Sequence, residues 1–76
     1  MNTLQQQLID ALKQSANGQY PTTIRHLHPL LEKLGWSLEQ LTEVANELDN
    51  QGIITAKFAS NKLKSIALSA DFPDLI

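Results

Sequence analysis

A chain of 76 residues and 8.5 kDa has room for one domain with a thin core, and 42% apolar against 18% charged residues is too hydrophobic for disorder. Cysteine is absent, which excludes disulfides, Cys-ligated zinc, iron–sulfur clusters and thiol catalysis. The net charge of −2 does not mark the chain as a whole as a nucleic-acid binder, and neither a span of ~18 apolar residues nor a basic-then-apolar leader is present, so the expected compartment is the cytoplasm with no membrane contact.

The first predicted element is a helix over 3–16. Thr3 and Gln6 have the spacing of a capping box. Leu4, Leu8, Ile9, Ala11, Leu12 and Ala16 form one apolar stripe at helical spacing, and Asn17-Gly18 closes it. Gln5, Gln6 and Gln7 read as solvated helix surface. Tyr20-Pro21-Thr22-Thr23-Ile24 predicts a short extended piece, because Pro21 breaks a helix and Thr-Thr-Ile is β-branched. A second helix follows at about 28–34, with His28 as cap, Pro29 at its first position and Gly35 as its stop. Ser37 and Gln40 then form a second capping box, and Leu38, Leu41, Val44, Ala45 and Leu48 make the inner face of a third helix that ends at Gly52.

After Gly52 the period changes from 3.6 to 2. Ile54, Ala56 and Phe58 alternate with Thr55 and Lys57, then Lys64, Ile66 and Leu68 alternate with Ser65, Ala67 and Ser69. Ala59-Ser60-Asn61-Lys62 supplies the turn of a β-hairpin. Phe72, Leu75 and Ile76 are too apolar for a free tail; they either fold back on the domain or meet a second subunit. The expected core contains Leu8, Leu12, Ile24, Leu34, Leu41, Leu48, Ile54, Ile66 and Leu68, with Trp36 tucked onto it.

Three stretches carry a resemblance to a known superfamily: Pro21-Thr22-Thr23 before helix two, Gly35-Trp36-Ser37 at a tight turn, and Leu48-Asp49-Asn50-Gln51-Gly52-Ile53-Ile54 leading into the hairpin. With the order helix, short strand, helix, turn, helix, hairpin, the chain resembles the winged helix-turn-helix superfamily of small bacterial and phage regulators. The resemblance implies an α+β fold with three helices, a C-terminal two-stranded wing and a short strand before helix two. It covers roughly residues 3–69, and the chain reads as one domain over 1–76, with a core over 1–70 and a tail over 71–76. It also implies that helix three enters the DNA major groove while the wing, about 57–64, touches the backbone or the minor groove. The positions facing outward on helix three are then Glu39, Gln40, Thr42, Glu43, Asn46 and Glu47.

Charge is segregated along these elements. Residues 36–52 carry Glu39, Glu43, Glu47 and Asp49 with no Lys or Arg, whereas residues 53–70 carry Lys57, Lys62 and Lys64 with no acid. Phosphate neutralisation favours the basic wing as the DNA contact and disfavours the acidic helix. The candidate DNA-contacting residues are Gln40, Thr42, Glu43 and Asn46 on helix three, Lys57, Lys62 and Lys64 on the wing, and Arg25. Gln and Asn suit adenine edges, and Glu can accept from cytosine N4. The plainer reading of the helix is a solvated face, and that of the lysines is protection of a hairpin edge. His26 and His28 are two possible metal ligands, which is short of a site, so no metal or cofactor is expected. No phosphate loop or Gly-x-Ser-x-Gly elbow points to an enzyme. Two functions follow: a small DNA-binding regulator acting on double-stranded DNA as a dimer or in a complex, or a protein–protein interaction module that docks its acidic third helix on a basic partner.

Overall fold

A computed structural model describes residues 3–76. The elements are α1 (Thr3–Ala16), β1 (Thr22–Ile24), α2 (His28–Leu34), α3 (Leu38–Asn50), β2 (Thr55–Ala59), β3 (Lys62–Leu68) and α4 (Phe72–Leu75). The strands form one antiparallel sheet in the order β1-β3-β2. The molecule is thus an α+β domain with four helices and a three-stranded sheet among the described residues, not three helices and a two-stranded hairpin. No helix among those residues is long and apolar enough to cross a membrane.

The extra strand exists because Thr22, Thr23 and Ile24 pair with Leu68, Ala67 and Ile66, giving the short β-branched run a ladder partner. The extra helix is one turn around Phe72, whose side chain is fully buried. The Phe72 ring meets Tyr20 at 5.6 Å between centroids, within the range of a favourable aromatic pair. The segment expected as a tail therefore folds back through Phe72, while Leu75 and Ile76 stay exposed.

Leu8, Ile9, Ala11, Leu12 and Ala16 bury the inner face of α1 as its spacing demands. Leu4 is 40% exposed, contrary to the stripe, and Gln5 is buried in its stead. Gln5 belongs to a seam rather than to solvated surface. Its Nε2 donates to Glu47 Oε1 at 2.9 Å, and Gln51 Nε2 donates to Gln5 Oε1 at 3.2 Å, tying the start of α1 to the end of α3. Nor does Gln6 reach back to Thr3: its Nε2 donates to Asp10 Oδ1 at 3.0 Å, and Thr3 is itself helical. Gln5→Ala removes both seam contacts and should lower stability by about 1–2 kcal/mol in urea titration. A double-mutant cycle with Glu47→Ala should show coupling of at least about 0.5 kcal/mol, and additive losses would mean that the seam contributes nothing.

Helix α2 spans the predicted residues, but Leu27 occupies its cap position and makes no side-chain cap bond; His28 is the first helical residue. Gly35 ends it at φ 71°, where the Gly35 and Trp36 N–H groups both donate to Leu31 O at 2.8 and 3.2 Å. Ser37 caps α3 as expected, its Oγ accepting from Gln40 N–H at 3.2 Å. Leu41, Val44, Ala45 and Leu48 are buried, joining α1 and the sheet in a core that also holds Leu30, Ile53, Ile54, Ile66 and Leu68. Ile24, Leu34 and Trp36 are partly buried against that core.

The hairpin turns on Ser60 and Asn61, with φ of 52° and 64°. Two consecutive positive values make the two-residue turn whose twist matches the flanking strands. The alternation in the sequence is interrupted once. Lys57 pairs with Ser65 but Phe58 pairs with Leu63, so Lys64 is an extra residue bulged from β3. The bulge explains why Leu63 is buried, and beyond it the hairpin leaves the core, so that Phe58 is 43% exposed instead of inside.

Candidate nucleic-acid interface

The structure divides the candidate residues into two groups. The first lies where the N-terminal half of α3 faces the hairpin turn. Thr42 and Glu43 line one side of a groove there, Asn61 and Lys62 the other, with Ser37 and Leu38 at its helix end. Capping fixes this edge, since Ser37 sets where α3 begins and the Ser60-Asn61 turn sets where Lys62 emerges. The Thr42 hydroxyl donates to Leu38 O at 2.8 Å, so its proton is committed to its own helix and its oxygen is left as an acceptor. Gln40 is half-buried and its N–H serves the Ser37 cap, whereas Asn46 is exposed but does not line the groove.

The second group is cationic. Arg25, Lys57 and Lys64 line a shallow pocket with Ser65 at the centre of the register. Strand pairing makes this cluster. Ile24 pairs with Ile66, so the chain leaving β1 brings Arg25 beside Ser65; Lys57 pairs with Ser65 from the other side; and the bulge supplies Lys64. All three cations are exposed, whereas Ser65 is buried, with only 8% of its surface exposed. The three hairpin lysines, similar in sequence, thus part company: Lys62 joins α3, and Lys57 and Lys64 join Arg25. Sequence spacing alone misses that union, because it depends on the β1–β3 register and on the bulge.

The acids of α3 also divide. Glu39 and Glu43 are exposed at the groove, but Glu47 is half-buried and accepts from Gln5, so it does not project outward as the helical pattern implied. The two histidines stay apart in role: His26 is exposed, and His28 Nε2 lies 2.9 Å from Glu32 Oε1 on the surface of α2. Among the described residues no three His, Asp or Glu side chains gather as a metal site. Comparison of the chain with protein-family models, with curated proteins and with solved structures returns no match.

Proposed function

We propose that the chain is a small winged-helix DNA-binding protein of the transcriptional or plasmid/phage regulator type. It contacts duplex DNA through its hairpin, the wing, and through α3. One observation carries the reading: an exposed hairpin turn bearing Lys62 stands beside the N-terminal half of α3, so that Lys62 and Asn61 face half-buried Thr42 and exposed Glu43 across an open groove. Two protruding elements set this way can straddle a sugar–phosphate backbone, with one cation on the phosphates and polar side chains toward base edges. The element order and the sheet order β1-β3-β2 support the same reading. With so few cations a single subunit binds weakly at physiological salt, so the reading implies a dimer or a larger complex on DNA.

Gel shift and anisotropy titration at low salt, with random duplex and with DNA from the chain's own gene neighbourhood, test this directly. Replacing Lys57, Lys62 and Lys64 by Ala should weaken binding to all sequences alike and flatten the salt dependence by about one unit per phosphate contact. Wild-type protein that fails to shift any duplex at low salt would end the reading.

A second reading rests on the exposed carboxylates of Glu39 and Glu43, which suit a basic protein surface better than phosphates. The double change Glu39→Gln, Glu43→Gln separates the two. A DNA-contacting α3 gains non-specific DNA affinity when these charges go. A protein-docking α3 loses association rate with its partner and leaves DNA titrations unmoved.

A further inference from the structure

The pocket formed by Arg25, Lys57, Lys64 and Ser65 shares no residue with the groove at α3. It has features that solvation of a hairpin edge does not require. Three cations from three separate segments converge on one concavity, and no carboxylate lines it. Among the described residues none of the three cations lies within salt-bridge distance of a carboxylate, the His28–Glu32 contact being elsewhere on α2. Like charges gathered on neighbouring strands repel and cost stability. A fold that gathers them without an acid is satisfied by an anion from outside. The fork of an Arg and two mobile ammonium groups matches the several oxygens of a phosphate, and Ser65 at the floor adds a short hydroxyl.

We infer that Arg25, Lys57, Lys64 and Ser65 form a phosphate-binding site on the outer side of the sheet, distinct from the groove between α3 and the hairpin turn. Its ligand is a phosphate group, supplied either by the backbone of a nucleic-acid strand or by a free phosphorylated molecule. The first source rests on the DNA-binding reading above; the second does not. If the backbone is the source, the protein grips DNA on two faces of the hairpin, with Lys62 on one side and the Arg25 cluster on the other.

The test uses the whole chain and the triple variant Arg25→Gln, Lys57→Gln, Lys64→Gln, which removes the three charges while keeping polar side chains and leaves Lys62 and α3 untouched. Amide shifts are followed during titration with inorganic phosphate, with sodium chloride at matched ionic strength as control. Anisotropy with a labelled random duplex is followed in parallel across a salt series. Phosphate should move the amides of Arg25, Lys57, Lys64 and Ser65 and spare those of Glu39 and Glu43, and the variant should lose this response. The variant should melt at the same temperature as wild type or higher, because removing unpaired like charges relieves repulsion. A residue kept for fold stability would do the opposite. Duplex affinity at low salt should fall at least tenfold, with the salt slope reduced by about two to three units, against about one unit for Lys62→Ala.

Phosphate shifts with no duplex binding would keep the site, assign it to a free phosphorylated ligand, and remove the DNA reading. Duplex binding that survives the triple variant with unchanged affinity and slope, together with amides unmoved by phosphate, would overturn the site and leave the DNA reading standing. Equal amide shifts from chloride and phosphate would also overturn it. The single change Arg25→Gln serves if the triple variant does not fold: loss of at least half of the phosphate response is expected, and a full response counts against the site.

Discussion

Phe72→Ala should unfold most of the population at room temperature. Phe72 is fully buried and its ring packs beside Tyr20 at 5.6 Å between centroids. Truncating a buried Phe costs about 3–5 kcal/mol, and a domain of this size holds only roughly 3–5 kcal/mol in reserve. Leu75→Ala, in the same turn but 46% exposed, should stay within about 0.5 kcal/mol of wild type. Circular dichroism melts of the two variants side by side make the comparison. Equal melting temperatures would mean that the last turn is not part of the cooperative unit.

Leu48→Ala should be nearly as damaging, at about 2–5 kcal/mol. Leu48 is fully buried, and its carbonyl accepts from Ile53 N–H at 3.0 Å where the chain leaves α3 for the hairpin. The cavity would open where α3 packs on both α1 and β3, and neither can close it without moving the other. Leu48→Met keeps most of the volume and should cost under about 1.5 kcal/mol. Urea midpoints for the pair decide it, and a Leu48→Ala protein as stable as wild type would refute the placement of α3 in the core.

The parts of the fold that were legible from the sequence are those with a local cause. Pro29 and Gly35 bracket α2, Ser37 starts α3, and the Ser60-Asn61 turn announces the hairpin, each through the backbone geometry that one residue favours. The parts that escaped have distant causes. Gln5 is inside because Glu47 and Gln51 meet it from the far end of α3, which no window around residue 5 contains. Leu63 is inside because the bulge at Lys64 shifts the alternation of β3 by one, whereas Phe58 keeps the face of Ala56 but stands where the hairpin runs past the core and is exposed. A helix of four residues is too short to show a period, so Phe72 read only as an apolar residue in a tail. The same distinction applies to the candidate residues. Their chemistry is plain in the sequence; that Lys62 belongs with Thr42, and Arg25 with Lys57 and Lys64, follows only from strand register.

The strand order also bears on how the chain is made. The strand that lies beside β1 is the last of the three described strands to be made: Thr22 waits for Leu68, and Tyr20 waits for Phe72. At translation rates of about 5–20 residues per second, roughly two to nine seconds separate the two partners. Until β3 is in place, the apolar face that α1, α2 and α3 share lacks the strand that joins β1 to β2. Folding is therefore a late event at the ribosome, and the half-made chain is the species most in need of protection from sticking to its neighbours.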